Sequence, residues 1–296
     1  MAEVKFLQGT DGYYVIAQAE TDRDPDVFST SYHKTVKLQD DPDSNPLLSL
    51  AIALSKTKAI KIVKITSDRE TKSVLISREA KALLDCQGIR GTLVIVDFAV
   101  GTGFGVPRCH FYTIVKDPSG HGFSRLAKFV REDGKFCELE LKLFLVQFYR
   151  MVRQILSRGY IPRNITPEGL LLRRESMAPL LIDYSGFFRM GLDFPLNRVP
   201  YHPGTPEMFK PSNHQGRLLV DGEVLLSHQL GQLMFFMATG SFWSKGVDYY
   251  WPIIISNLCR KFVLALLREK SRSKFCKIET TAFYKEADAR MKEFGA

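Results

Sequence analysis

The sequence predicts an α+β protein with two lobes, one built mainly from an antiparallel sheet with a single helix and the other mainly helical. Short β-rich runs with one helical segment fill the chain up to about residue 116, and helical periodicity takes over from Cys137. Of the 296 residues, 45% are hydrophobic and 25% are charged, which is the composition of an ordinary globular chain. We therefore predict a first lobe over residues 1–116 and a second over residues 117–296.

The first lobe is predicted from its β-rich runs. Residues 59–65 read AIKIVKI and residues 91–100 read GTLVIVDFAV, and both are rich in the β-branched residues that favour strands. Residues 77–85, SREAKALLD, have the composition of a helix. The glycine-rich residues 101–105 follow a strand, but β-rich sequence comes after them instead of a helix whose N-terminus would hold a phosphate. We predict that they form a turn between two strands.

The second lobe is predicted from helical spacing. Large apolar residues recur at intervals of three and four after Cys137, which places them on one face of a long helix that ends at Gly159. A buried helix is predicted over residues 225–239, and amphipathic helices over residues 257–267 and 280–294. The residues on the face of the long helix are Leu141, Phe144, Phe148, Met151 and Ile155.

The opening residues, MAEVKFLQGTDGYY, lack the basic start and apolar run of a secretory signal, and no later stretch is apolar for the roughly 18 residues that a membrane span needs. We expect an intracellular protein, cytoplasmic or nuclear, without a transmembrane segment. The five cysteines are scattered, so the sequence shows neither a disulfide framework nor zinc-ligand spacing, and free thiols are expected. They are Cys86, Cys109, Cys137, Cys259 and Cys276.

The formal net charge of +9 favours acidic partners, such as nucleic acid, anionic lipid or acidic protein surfaces. Basic residues concentrate late in the chain, but without the interleaved aromatic residues on which single-stranded nucleic acid stacks. We favour a solvated helix face for this cluster, and a module for nucleic acid or anionic membrane is the less favoured alternative. The cluster is Arg260, Lys261, Arg268, Lys270, Arg272, Lys274 and Lys277.

Immediately after the long helix, residues 157–172 read SRGYIPRNITPEGLLL and residues 180–186 read LLIDYSG. This stretch resembles the catalytic loop and metal-binding segment of protein kinases, which read HRD, two residues, PEN, an apolar strand, a hairpin and a strand ending in DFG. Residues 204–209, GTPEMF, resemble the end of the kinase activation segment, and residues 230–240 resemble the central buried helix. The resemblance covers about residues 59–240 and implies one kinase-like domain of two lobes.

The resemblance keeps the frame of the catalytic loop but changes the residues that carry the chemistry. Arg163 matches the arginine of HRD, whereas Asn164 occupies the position of the catalytic base, and an amide cannot accept the substrate's proton near neutral pH. The lysine that usually follows two residues later is Thr166. Gly169 replaces the asparagine that holds a second magnesium ion, so this position is a degenerate metal site.

The nucleotide side of the resemblance is better preserved. Asp183 matches the aspartate of DFG and implies a ligand for Mg²⁺, although Ser185 replaces the glycine of that turn. Lys61 resembles the strand lysine that pairs with the phosphates of ATP, and Glu79 resembles its helix partner. Lys64 on the same strand is a weaker rival for the lysine role, because residues three apart in a strand point to opposite faces.

Two further features depart from the family pattern. Gly9 and Gly12 have the spacing of part of a glycine-rich phosphate loop, but a simple β-turn explains them equally well. Leu226 occupies the position of the aspartate that braces the backbone of the catalytic loop, which implies that the loop has lost part of its support.

Taken with these departures, the resemblance implies a pseudokinase that acts by binding a protein partner, as an allosteric component or scaffold. The partner would be an active kinase or its substrate, with residual ATP and Mg²⁺ binding and no or very weak phosphoryl transfer. The alternative is an active atypical kinase or nucleotidyl transferase that uses Lys61, Glu79 and Asp183, because phosphoryl transfer depends mainly on positioning and electrostatics.

Overall fold

The computed structural model describes residues 4–9, 12–17, 31–38, 60–65, 81–102, 109–116, 122–132, 134–162, 165–184, 187–189, 222–244, 250–267 and 275–294. The chain divides into two compact units, one formed by residues 1–87 with 93–120 and the other by residues 88–92 with 121–296. Within the described residues, the strands of each sheet pair antiparallel and the helices do not alternate with parallel strands, so the fold class is α+β as predicted.

The first unit is a six-stranded sheet that closes on itself. Its strand order is β1-β2-β3-β4-β6-β5, and every pairing is antiparallel, including the pairing of β1 with β5 that closes it. Residues 81–85 of this unit are helical, within the predicted segment 77–85. The strands are β1 (Val4–Gly9), β2 (Gly12–Ala17), β3 (Ser31–Leu38), β4 (Ile60–Ile65), β5 (Ile95–Thr102) and β6 (Cys109–Lys116).

The predicted strand over residues 91–100 is only partly a strand of this sheet, because β5 begins at Ile95. Gly91 has a φ of +95°, and its carbonyl accepts a hydrogen bond from the Leu181 amide at 2.8 Å. Thr92 forms an isolated parallel bridge with the same leucine. Residues 91 and 92 therefore pair within the second unit. The turn predicted at residues 101–105 begins later than expected, because residues 101 and 102 still belong to β5 and pair with β6, and residues 103–105 lie outside the described residues.

The second unit combines helices with two small antiparallel sheets. One sheet has the order β10-β9-β7, and the other pairs β11 with β8. The strands are β7 (Phe123–Arg125), β8 (Tyr160–Pro162), β9 (Leu170–Arg173), β10 (Ala178–Leu181) and β11 (Phe187–Arg189). The helices are α1 (Leu126–Glu132), α2 (Glu138–Ser157), α3 (Gly222–Thr239), α4 (Asn257–Leu267), a 3₁₀ turn (Phe275–Thr280) and α5 (Ala282–Glu293).

The helix α2 confirms the prediction made from its apolar spacing. At its start, the side chain of Glu140 accepts a hydrogen bond from the Cys137 amide at 2.7 Å. This bond satisfies a backbone N–H group that has no partner within the helix. The five predicted face residues are all buried, with at most 2% of any of them exposed. After the helix, Gly159 has a φ of +81°, a conformation that glycine adopts without strain.

The later helices also lie where the sequence predicts them. The helix α3 is buried on most of its surface, which agrees with its continuous apolar sequence. The helix α4 has the predicted bounds, and α5 begins two residues after the predicted start because a 3₁₀ turn occupies Phe275–Thr280. None of the helices that the structure describes combines the length and the apolar character needed to cross a bilayer. None of the four cysteines with described side chains, Cys86, Cys137, Cys259 and Cys276, forms a disulfide bond.

Lys142 joins three segments of the second unit. Its ammonium group lies 2.8 Å from a carboxylate oxygen of Glu138 and 2.7 Å from one of Glu286 on α5. Glu138 also accepts a hydrogen bond from the Ser256 amide, just before α4, at 2.6 Å. Burial alone would lower the pKa of Lys142, but its hydrogen bonds to the two glutamates raise it above the ordinary value of 10.5. This buried cation therefore stays charged and links α2, α5 and the start of α4.

Candidate functional site

The candidate site is built around the turn that joins β8 to the hairpin of β9 and β10. Leu170–Arg173 and Ala178–Leu181 pair antiparallel, with Leu181 opposite Leu170. The apolar sequence of both strands explains why they are buried. Just beyond the hairpin, the Ile182 amide donates a hydrogen bond to the Gly169 carbonyl at 3.0 Å. The hairpin therefore brings residue 183 back beside residue 169, as the predicted strand, hairpin and strand require.

Gly169 lies directly against Asp183. A β-carbon at position 169 would be 3.1 Å from the β-carbon of Asp183 and 3.8 Å from its carboxylate oxygen Oδ2. The structure thus brings together two positions that the sequence assigns to magnesium binding. Asp183 has a half-buried carboxylate, and Gly169 has no side chain that could act as a ligand.

Thr166 is the third predicted departure in this turn, and it has a structural role. Its side chain is buried, and the hydroxyl Oγ1 accepts a hydrogen bond from the Gly169 amide at 3.0 Å. The hydroxyl also lies 3.4 Å from the position that a β-carbon on Gly169 would take. The threonine therefore closes the turn on itself, a local side-chain to backbone bond typical of this residue type.

Gln229 on α3 holds both sides of the segment 163–164. Its Oε1 accepts a hydrogen bond from the Ile165 amide at 2.7 Å, and its Nε2 donates one to the Pro162 carbonyl at 3.3 Å. The sequence reading did not identify this residue. A glutamine near the middle of a buried apolar helix was the available signal, because a buried polar side chain usually has a specific partner.

The loop that is expected to have lost part of its support at Leu226 has a side-chain support at another position of α3. Leu226 is fully buried in the core, and the support comes from Gln229, one turn further along the same helix. Residues three apart on a helix lie on the same face, so this change of position still reaches the loop. The amide side chain both accepts and donates, whereas an ionised carboxylate only accepts.

In the first unit, Lys61 lies on β4, paired with Lys34 of β3 on one side and Val115 of β6 on the other. The rival Lys64 lies three positions further along, opposite Ser31 and Tyr112. Lys34, which the sequence pattern did not identify, is directly opposite Lys61 on the neighbouring strand. The sequence pattern did not predict which residues of β3 and β4 are paired.

Gly9 and Gly12 face each other across the end of the hairpin formed by β1 and β2. Their place at the two ends of a short connection agrees with the β-turn interpretation, and a role in phosphate binding stays a prediction. Arg163, Asn164 and Glu79 lie outside the described residues.

The late basic cluster is only partly described, since residues 268–274 lie outside the described ranges. Lys261 and Lys277 are exposed, as a solvated face predicts. Arg260, by contrast, donates hydrogen bonds to the Ile255 carbonyl at 2.9 Å and to the Pro252 carbonyl at 3.1 Å. This arginine holds the turn before α4, so it is engaged within the chain.

Within the described ranges, no group of three or more histidine, cysteine, aspartate or glutamate side chains is arranged to hold a metal ion. At the candidate site, the residues present offer the carboxylate of Asp183 as a ligand for Mg²⁺, and Gly169 adds none. A hard cation held there would take its remaining ligands from water or phosphate oxygens, which is how Mg²⁺ is commonly bound.

Comparison with models of known protein families finds no match for this chain, and a search of curated proteins finds none either. The site is therefore characterised by its own residues: Asp183 against Gly169, Thr166 closing the turn, and Gln229 holding the backbone on both sides.

Proposed function

We propose that this protein is a pseudokinase: a chain with a two-lobed, protein-kinase-like fold that acts by binding a protein partner rather than by transferring phosphate. The observation that carries the proposal is the contact between Gly169 and Asp183. The two positions come together as a kinase-like metal site requires, but one of them has lost its ligand. A retained frame without its chemical groups favours binding over catalysis.

The substrate side of the site supports the same conclusion. Asn164 has an amide where the family has a base, and the loss of a positioned base typically lowers a rate by about 10² to 10⁴. Thr166 replaces the lysine near the transferred phosphate, and its hydroxyl is bonded to the Gly169 amide. Neither residue supplies the proton acceptor or the positive charge that phosphoryl transfer uses.

The nucleotide side supports residual binding of ATP and Mg²⁺. Asp183 is a half-buried carboxylate at the end of the hairpin, where it would hold one magnesium ion. In this proposal Lys61 would contact the phosphates, and Glu79 would pair with this lysine and orient it. Bound nucleotide would then favour the conformation that it binds more tightly. The size of this shift would be set by the difference between its affinity for the partner-binding conformation and its affinity for the other conformations.

The first test is label transfer from ATP. Purified protein is incubated with ATP labelled at either the α- or the γ-phosphate, alone and with a generic protein substrate, beside Asp183→Asn. We expect no incorporation above that of the variant. Incorporation from γ-labelled ATP that disappears in Asp183→Asn would establish a kinase, and incorporation from α-labelled ATP would establish a nucleotidyl transferase; either result would overturn the proposal.

The second test measures thermal unfolding with and without ATP and Mg²⁺. Specific binding to the native state raises the melting temperature by mass action. We expect a rise with wild type that is reduced in Asp183→Asn, whose side chain has the same shape but no charge. No rise at millimolar nucleotide would remove nucleotide binding from the proposal and leave partner binding to be tested separately.

The third test addresses the partner. Active protein kinases are assayed with peptide substrates in the presence of increasing amounts of this protein. We expect the turnover or the apparent KM of at least one kinase to change saturably. A panel in which neither quantity changes, with no complex seen by sedimentation, would count against an active kinase as the partner and favour its substrate.

A further inference from the structure

We propose that Gln229 is a positioning residue, which sets the turn at residues 165–169 and, through it, the carboxylate of Asp183. The inference rests on the proposed function, since it concerns how the same site is kept ready for a ligand. It begins with a single side chain that bonds the backbone at Pro162 and at Ile165.

Three hydrogen bonds, joined by short stretches of backbone, lead from Gln229 to the neighbourhood of Asp183. The glutamine accepts from the Ile165 amide at 2.7 Å. The next residue, Thr166, accepts from the Gly169 amide at 3.0 Å, and the Gly169 carbonyl accepts from the Ile182 amide at 3.0 Å. The first bond joins α3 to the turn, the second lies within the turn, and the third joins the turn to the end of the hairpin. Movement at Ile165 is therefore passed to the residue beside Asp183.

The second bond of Gln229 ties the turn to a sheet. Pro162 is the last residue of β8, and it is paired with Phe187 of β11. Proline has no amide hydrogen, so its carbonyl is the backbone group that it offers to a partner. Since Gln229 donates to this carbonyl, one side chain holds the end of β8 and the start of the turn at a constant separation.

The neighbouring packing restricts where Gln229 can move. Leu226, one turn earlier on α3, and Leu230, the next residue, are fully buried, and Ile165 is 6% exposed. A half-buried amide in such surroundings is held by its two hydrogen bonds, because an unpaired polar group there would be costly. Gln229 therefore orders the turn before any ligand arrives, which lowers the ordering cost of binding.

The experiment compares three variants of the full chain. Gln229→Met keeps the length of the side chain and removes both hydrogen bonds. Gln229→Glu keeps an acceptor for the Ile165 amide and loses the donor to Pro162. Gln232→Met is the matched control, because Gln232 lies on the same helix and makes an equivalent pair of bonds with the Trp243 backbone, at 3.0 and 3.1 Å.

Two quantities are measured for each variant: the hydrogen exchange rate of the Ile165 amide by NMR, and the rise in melting temperature that ATP with Mg²⁺ produces. In Gln229→Met we expect the Ile165 amide to exchange about tenfold faster, the factor that corresponds to losing one ordinary hydrogen bond. The nucleotide-dependent rise should also be smaller. Gln229→Glu should restore the protection of Ile165, and Gln232→Met should leave it unchanged.

The proposal is overturned if Gln229→Met leaves the Ile165 exchange rate at the wild-type value. It is also overturned if Gln232→Met accelerates that amide equally, because the effect would then be a general loosening of α3. If nucleotide stabilises the wild type and Gln229→Met equally, Gln229 does not position Asp183. If nucleotide does not stabilise the wild type at all, the nucleotide part of the proposed function fails, and the exchange rates still decide whether Gln229 orders the turn.

Discussion

The backbone of Gly169 lies against the side chain of Asp183. A β-carbon at position 169 would be 3.1 Å from the Asp183 β-carbon. Glycine here allows the hairpin to bring Asp183 against the turn. An alanine here would be crowded by the Asp183 β-carbon, whereas the Thr166 hydroxyl at 3.4 Å and the Asp183 carboxylate oxygen at 3.8 Å would be at ordinary contact distance.

The first prediction concerns this contact. Gly169→Ala should reduce the free energy of unfolding by about 1 kcal/mol, the low end of the range for overpacking, because only the Asp183 β-carbon would be closer than ordinary contact. Chemical denaturation followed by fluorescence measures the change, and the Asp183 side-chain resonances should shift in NMR spectra. An unchanged denaturation midpoint would mean that the neighbouring groups move aside without cost.

The hydroxyl of Thr166 provides the second prediction. Thr166→Val keeps the shape of the side chain but leaves the Gly169 amide without its acceptor, so the free energy of unfolding should fall by about 1–3 kcal/mol. Thr166→Ser keeps the hydroxyl and is the control; it should recover most of this loss in urea denaturation. Equal stability of the valine and serine variants would show that the hydrogen bond contributes little.

Lys142 and Lys128 form a matched pair for the third prediction. Each is four residues from a glutamate on its helix, but the Lys142 side chain is 9% exposed and the Lys128 side chain 61%. Lys142→Met leaves Glu138 partly buried without its cation, and we expect a loss of about 3 kcal/mol. Lys128→Met should change stability by less than about 0.5 kcal/mol. Similar midpoints for the two variants in guanidinium would contradict the role of burial.

The fourth prediction is a dependence of stability on pH. Burial alone would raise the pKa of Glu138, but hydrogen bonds from Lys142 and Ser256 hold it below the ordinary value of 4.5. Chiefly a hydrogen bond from Lys292 lowers the pKa of Asp288 below 3.8. Groups with a lowered folded-state pKa stabilise the protein above the unfolded value and lose this contribution as pH falls through the folded one.

We therefore expect unfolding free energy to fall as pH drops below about 4.5 and again, through the raised pKa of Lys142, as pH rises above 10.5. Urea denaturation across these ranges measures both effects. In Lys142→Met the acid dependence should be smaller, because Glu138 loses the partner that lowers its pKa. If the stability of Lys142→Met depends on acid pH as strongly as that of wild type, the pair of Glu138 and Lys142 is not the source of this dependence.

The fifth prediction separates backbone strain from crowding at two glycines. Gly88 and Gly91 have φ values of +83° and +95°, so alanine is strained at either position. A β-carbon on Gly88 would have no neighbour within 4 Å, whereas one on Gly91 would lie 2.7 Å from the Met151 sulfur and 2.9 Å from the Pro179 carbonyl oxygen.

Gly91→Ala should thus be less stable than Gly88→Ala by roughly 2 kcal/mol, the contribution of overpacking alone. The difference between their thermal denaturation midpoints is the measurement. If both variants unfold at the same temperature, Met151 and the strand that contains Pro179 yield to the added methyl group.

The helices could be predicted from the sequence because their signal is local and repeated. In α2, apolar residues at every third or fourth position and a glycine after the end specify both the face and the stop. The amphipathic sequence of α4 likewise predicts its bounds. The hairpin of β9 and β10 was predictable for a related reason, since two short apolar runs flank a polar turn.

The candidate site was predictable in part. The sequence identified Gly169 and Asp183 as related positions, and the structure brings them into contact. It did not identify Gln229, whose partners are 64 and 67 residues away in the chain. Nor did it identify Lys34 as the neighbour of Lys61, because register between strands depends on how the sheet closes.

By itself, the sequence determined which residue types stand at the positions that resemble a kinase catalytic loop and metal-binding segment: an amide at Asn164, a hydroxyl at Thr166, no side chain at Gly169 and a carboxylate at Asp183. The tertiary structure alone decided that the turn is supported by Gln229 instead of a residue at position 226. The physical reason is that side-chain chemistry is a property of each residue, whereas a hydrogen bond between distant segments exists only once packing has set their separation.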